Sequence, residues 1–576
     1  MPLLLRVGCP PRSRKKFFGY RIGLPDDARI VKRTAFLMDH GAPREIDTII
    51  VGNGPSALIL SYILHGHIPY YDQSSPHPDL VLHERLLRSS HDLLDIDIDF
   101  LTEPFSASRF SYSTQALPVN VLLDTLVRPL GETDDGQKKT CVKWQYEPSR
   151  AVAHVVLGQT KQAGGQWVDN PVQASWDIGT LSYAGMLSLP GYGFDEHYQR
   201  RHGRPLPIFL RPSRRAVADY LAAYPDQVGI SDSIHNGEQV GGVTRHGDGF
   251  FVASHNMHCR HLVLASGIFS ELIAPRPLLR PLVNLKDTQS APTRFPVLVI
   301  GSGFSAADVI ISSPSDQKII HIYKWAPSTS PSPLRGCHQH AYPEYAGVYR
   351  RMKLAALSSS QSENKRLRPS RKASEFDSSR HWQSTYEGLP NTEVKDVQIA
   401  DDELSATITL QRAGTSEPTF QRRVSGLAYV VGRRGSLKYL SPALLGEILP
   451  GFADTAGDKD GPMISGQTLR EKANENLELA PHVFITGSLT GDSLIRFAYG
   501  GCAYAAGKIM QASAQVTNGT ANVENQKSNG VLRACLSRYQ TPVSSPKIPA
   551  MNGLDGHEAS PVSLAHKEGL PLDRRK

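Results

Sequence analysis

Two copies of one glycine pattern, 249 residues apart, restrict this 576-residue chain more than any other feature. Ile49-Ile50-Val51 runs into Gly52-Asn53-Gly54-Pro55-Ser56-Ala57, and Val297-Leu298-Val299-Ile300 runs into Gly301-Ser302-Gly303-Phe304-Ser305-Ala306. In each copy the first glycine permits a tight strand-to-helix turn, and the second lets a pyrophosphate approach the backbone. The small sixth residue lets the helix pack close to the strand, and the free N–H groups of the first helical turn face the phosphates. One such turn can be purely structural. Two, each between an apolar strand and a helical stretch, predict two dinucleotide sites. The fold class expected is α/β, with two Rossmann-like dinucleotide-binding domains.

With 40% apolar and 20% charged residues, the chain has the balance of a globular protein with room for two or three domains. It holds no run of about 18 apolar residues, so no membrane span is expected. Met1-Pro2-Leu3-Leu4-Leu5 meets Arg6 too soon for a secretory signal, and Asp26 and Asp27 argue against a transit peptide. Residues 1–44 read as a basic flexible leader. The six cysteines form no C-x-x-C pair and no metal spacing, which suits a reduced, cytoplasmic protein. Residues 1–45 carry ten Lys/Arg against four Asp/Glu, residues 350–372 eight against one, and residues 511–576 eight against five. The net charge is +8, so the remainder is acidic and no nucleic-acid-binding core is expected. The basic insertion and the tail are the segments that offer contacts to protein partners.

The first domain is expected over 45–290, with a helix over Pro55–Leu64. A dinucleotide fold then needs a second strand with an acid at its tip, about 20 residues on. Asp72 has the spacing, but Ile68-Pro69-Tyr70-Tyr71 is a poor strand. The better strand, Ala153–Gly158, arrives about eighty residues late, so residues 72–150 read as an insertion with helices around Val81–Leu87 and Val119–Leu126. Gly164-Gly165-Gln166-Trp167 follows; it is either a close-approach surface walled by the Trp or an ordinary turn before a core Trp. Ser213 can cap a helix through Tyr224, and the strand from His261 ends in the small-small-Gly turn Ala265-Ser266-Gly267.

A second domain is expected over 291–425, inserted in the first. Its second strand, Lys318–Tyr323, puts Lys324 at the tip, 21 residues beyond Gly303. A cation there suits a 2′-phosphate, so NADPH is expected over NADH, although a strand-end Lys can also simply face solvent. Residues 354–392 read as a flexible Ser/Arg-rich insertion, in which Arg371-Lys372-Ala373-Ser374 has a basic phosphorylation pattern. His338 and His340 beside Cys337 form a loop cluster, and no metal site is read from it. Residues 426–512 return to the first domain through Val483–Gly487, Gly491-Asp492 and Gly500-Gly501. Residues 513–576 are polar and read as a disordered tail.

Fingerprint, Gly-Gly-x-Trp, small-small-Gly turn, second fingerprint and Gly-Asp stand in the order used by flavin-dependent, NADPH-using monooxygenases. A closer resemblance is to the oxidative stress-induced growth inhibitor family. It rests on Ile50–Ser56, His154–Gly158, Gly164–Trp167, Tyr342-Pro343-Glu344-Tyr345, and above all Gly491-Asp492-Ser493-Leu494-Ile495-Arg496-Phe497 with Gly500-Gly501. The resemblance implies FAD at the first fingerprint, NADPH at the second, and oxygen transfer through a flavin C4a-(hydro)peroxide to a small-molecule or protein substrate that the sequence does not identify. It also implies a role in cell growth, differentiation, death and cytokinesis, with association to the midbody or cytoskeleton. Asp492 would meet the ribitol. Two positions depart from better-understood relatives. No acid stands near Gly158, and Asp287–Arg294 lacks the F-x-G-x-x-x-H motif, so no catalytic residue is carried over. An NADPH oxidase or a growth-regulatory protein without turnover are the alternatives; a flavin disulfide reductase would need a Cys pair.

Overall fold

A computed structural model describes residues 42–515, apart from 111, 132–138, 171, 173, 286–294, 361–379, 415–417 and 451–462. The expected leader, most of the tail, Ser374 and Asp287–Arg294 lie outside the described residues.

Two sheets, each with a parallel centre, are built on the two apolar runs. In the first, β1 (Arg44–Val51) leads into α1 (Pro55–Leu64), and β2 (His154–Gly158) pairs with it in parallel, with Ile50 beside Val156. All of β2 is buried, as a strand covered on both faces requires. Next to β2 lies β3 (Ile234–Asn236); on the other side of β1 lie β4 (Met257–Leu264) and, beyond it, the late strand Val483–Ile485. The second sheet repeats the order. There β5 (Val297–Ile300) leads into α2 (Phe304–Ser312), and is flanked by β6 (Ile319–Tyr323) and then β7 (Tyr386–Pro390) on one side and β8 (Gly426–Tyr429) on the other, all parallel. In both sheets the strand order therefore reverses at the strand that enters the fingerprint. Ligands of open α/β sheets bind outside the carboxyl ends of the strands at such a point.

The sequence places Gly426–Tyr429 in the returning first domain. It instead pairs with β5, because its apolar Leu427 and Ala428 fit beside Leu298 and Val299. Residues 354–392 are not flexible throughout: residues 354–358 continue the helix Pro343–Ser360, Trp382 is buried, and β7 completes the second sheet. Ile68–Tyr71, weak as a core strand because of its Pro, belongs to the strand His67–Tyr71. That strand makes a two-stranded antiparallel ribbon with Val142–Tyr146, off the main sheet.

Candidate functional site

The glycines of the two fingerprints divide their work in the same way. A Cβ on Gly52 would stand 2.4 Å from the carbonyl oxygen of Ala265, at the tip of β4, and a Cβ on Gly301 would stand 2.4 Å from that of Val430. Both first glycines also hold positive φ, at 114° and 152°, so the fold itself requires them. The second glycines differ. A Cβ on Gly54 would meet nothing within 4 Å, and one on Gly303 only Pro333 Cγ at 4.0 Å. Ala57 and Ala306 are fully buried under their helices. Neither Gly54 nor Gly303 gives its helix a side-chain cap, which leaves first-turn N–H groups facing the strand ends.

A cavity of about 540 Å³ opens at the carboxyl ends of the first sheet. Of the residues expected there, Gly52, Asn53, Gly54, Pro55, Ser56, Gly165, Gln166, Trp167, Gly267 and Asp492 line it. Gly164, at φ 124°, works from outside: its N–H donates to the carbonyl of Asn53 at 2.8 Å and docks the Gly-Gly turn on the fingerprint loop. Trp167 both lines the cavity and packs on the first core. Gly491 lines a neighbouring, more open cleft of about 790 Å³. Gly301–Ala306 stand on the second sheet, where Lys324 follows β6 with an exposed side chain.

The Asp492 carboxylate, on the cavity wall, is also held by the protein's own donors. It accepts from Arg470 Nη1 at 2.7 Å, from Asn120 Nδ2 at 2.7 Å and from the Leu117 N–H at 2.8 Å. Four residues on, Arg496 donates to Asp124 Oδ2 through Nε at 2.9 Å, and Asp124 also holds Arg128 at 3.2 Å. The unusual Gly491–Phe497 segment is thus a clamp onto the helix Pro118–Val127. Tyr342–Tyr345 is a second clamp: the Tyr345 hydroxyl donates to Asp308 on α2 at 2.8 Å, while Glu344 pairs with Arg211 at 3.1 Å. Burial raises the Asp308 carboxyl, with the Tyr345 hydrogen bond and Arg214 pulling the other way. Beneath the second fingerprint, His321 Nε2–H donates to the Gly301 carbonyl at 2.7 Å and the Tyr386 hydroxyl donates to Nδ1 at 2.8 Å.

Asn120, Arg470 and His321 escape sequence reasoning because no motif marks them and packing alone brings them to their partners. Asp72, weighed as a ribose acid, is spent locally on the N–H and hydroxyl of Ser74, which hold its carboxyl below the usual range.

No protein-family model matches the chain. It is similar to oxidative stress-induced growth inhibitor 1 of Mus musculus and of Homo sapiens, each 27% identical, with 81% of this chain and 95% of each relative covered. The Caenorhabditis elegans oxidative stress induced growth inhibitor homolog osgn-1 is 28% identical over 54% of this chain and 72% of its own. Among solved structures, a flavin-containing monooxygenase from Stenotrophomonas maltophilia is 14% identical at a TM-score of 0.42, covering 82% of this chain and 99% of its own. A bacillithiol disulfide reductase from Bacillus cereus is 12% identical at a TM-score of 0.44, covering 81% and 100%. Along four fifths of its length the chain is thus similar to relatives that share the name oxidative stress-induced growth inhibitor.

Proposed function

We propose that the chain is an FAD- and NADPH-dependent monooxygenase, with FAD in the cavity at the first fingerprint and NADPH at the second. The observation that carries this reading is the open space over Gly54 and Gly303, which the protein's own packing leaves unfilled while it closes tightly on Gly52 and Gly301. A cavity of about 540 Å³ has the size of a cofactor site, and its lining fits a dinucleotide: glycine backbone at the helix start for the pyrophosphate, Trp167 for a flat ring. When bound, FAD supplies hydride acceptance from NADPH and activation of O2. The chain's part is to bind, orient and exclude water. The first turn of α1 offers N–H groups to the pyrophosphate, and Gly267 brings the tip of β4 to the cavity wall. Exposed Lys324, after β6, suits the 2′-phosphate of NADPH. In this reading the NADPH domain is an insertion in the FAD domain, and the protein regulates cell growth as its relatives' names suggest.

Disulfide reduction is disfavoured by Cys502, the cysteine packed under α1. Its Sγ donates to the Ser56 carbonyl at 3.2 Å, and burial raises its thiol above the ordinary range, which favours the unreactive protonated form. The test is purification of the chain, then flavin absorbance, flavin bleaching by NADPH and oxygen uptake. A yellow protein bleached by NADPH, with Gly303→Val abolishing bleaching while flavin stays bound, supports the reading. Peroxide as the only product turns it into an NADPH oxidase. A colourless protein that leaves NADPH untouched overturns it in favour of a growth-regulatory protein without turnover.

A further inference from the structure

An acid at the tip of β2 is the usual partner of an adenosine ribose in this kind of fold, and here the position cannot carry one. A Cβ on Gly158 would stand 2.1 Å from Asn53 Cγ. Asn53 is buried and fixed: Nδ2 donates to Asn236 Oδ1 at 2.7 Å and to the carbonyls of Thr160 and Gln162 at 3.2 Å, and Oδ1 accepts from the Thr160 hydroxyl at 2.8 Å. The fingerprint's own second residue fills the space of the missing acid.

One strand over, an acid is present. Beyond β3 the chain continues along β2, with Gly237 N–H donating to the Thr160 carbonyl and Glu238 N–H to the Gly158 carbonyl, both at 2.9 Å. Glu238 therefore stands beside Gly158 and lines the same cavity as Gly54 and Gln159. Its carboxylate is aimed. Ser254 Oγ accepts from the Gly241 N–H at 2.9 Å and donates to His255 Nδ1 at 2.8 Å, which leaves His255 Nε2–H to donate to Glu238 Oε2 at 3.3 Å. The side chain remains 32% exposed, and Oε1 accepts no hydrogen bond among the described residues. The other carboxylates on the cavity wall lie elsewhere or are engaged: Asp492 in its clamp, Glu271 with Lys438 Nζ at 3.1 Å, and Asp169 beyond the Gly-Gly turn.

We propose that Glu238 replaces the missing strand-tip acid and accepts the hydroxyls of the adenosine ribose, so that the cavity selects an adenosine dinucleotide without a 2′-phosphate. The assignment rests on the FAD reading above. A vicinal diol offers two donors to a carboxylate, whereas a phosphate there would meet like charge.

The test compares the dissociation constant of FAD with that of an FAD analogue whose adenosine lacks both ribose hydroxyls. It uses wild type, Glu238→Ala and Glu238→Gln, each checked for folding by thermal unfolding. Wild type is expected to prefer FAD by about ten- to a hundredfold, the worth of a hydrogen bond to a charged group. Glu238→Ala is expected to bind both flavins alike, with Glu238→Gln in between. A wild type that binds the two equally, or a folded Glu238 variant that keeps the full preference, overturns the assignment while leaving FAD binding intact. A wild type that takes neither flavin overturns the FAD reading itself.

Discussion

Asn120 and Asp492, 372 positions apart, meet at 2.7 Å inside the protein, and through them the helix Pro118–Val127 is fastened to the wall of the cavity. Removing the carboxylate leaves the Arg470 charge, whose side chain is only 16% exposed, with just the Thr490 and Gln115 carbonyls as acceptors, and leaves the Leu117 N–H without its acceptor. Asp492→Ala is expected to cost about 3 kcal/mol in urea unfolding, because a buried charge loses its partner. Asp492→Asn, which keeps the shape, is expected to cost less. A change below about 1 kcal/mol for the alanine variant would show that the clamp is not a structural element.

The two glycines of each fingerprint should separate stability from binding. Gly52→Ala and Gly301→Ala place a methyl 2.4 Å from a carbonyl oxygen and are expected to lower stability by about 2 kcal/mol or more. Gly54→Ala and Gly303→Ala meet open space, so their Tm should stay within about 2 °C of wild type. Their loss should appear in binding: Gly54→Ala in FAD affinity, Gly303→Ala in NADPH affinity. Equal thermal losses across all four variants would refute this division.

Much of this is legible in the sequence. The runs Ile49–Val51 and Val297–Ile300 are too uniformly apolar to face water, and the glycines after them admit few turns, so both strand–helix units could be read locally. The late strand His154–Gly158 was legible for the same reason. What could not be read depends on packing between distant segments. Leu427 and Ala428 are as apolar as any core strand, and only their pairing with Leu298 and Val299 assigns them to the second sheet. Asp492 has the position of a ligand-binding acid, yet donors from residues 117, 120 and 470 claim it. The absent acid near Gly158 was visible in the sequence; its cause, the folded-back Asn53 amide, was not.

That cause is itself testable. Gly158→Ala alone is expected to destabilise by about 1–3 kcal/mol, since the methyl and the Asn53 side chain claim the same volume. Asn53→Ala also costs stability, by losing the bonds to Asn236 and Thr160. The double variant should cost less than the two singles together by about 1 kcal/mol or more, because the second change removes the clash. Strict additivity in urea unfolding would mean that the chain relieves the contact elsewhere.

Acid should weaken the fold before its carboxylates titrate. An unfolded histidine takes its proton near 6.5, whereas burial holds the His77, His154 and His321 imidazoles down to about 4. Between those values the unfolded chain binds more protons than the folded one, so stability is full above about pH 7 and falls as pH drops towards 4. Each imidazole contributes up to about 3 kcal/mol of that loss. Asp308 acts in the opposite sense, because burial raises its carboxyl. The contribution of His321 is isolated by His321→Asn, which cannot titrate. At pH 7 this variant should be less stable than wild type, since the Gly301 carbonyl and Tyr386 hydroxyl lose their ring partner. From pH 7 to 5 its urea midpoint should fall less than that of wild type. If both proteins show the same slope, His321 is not held neutral beneath the second fingerprint.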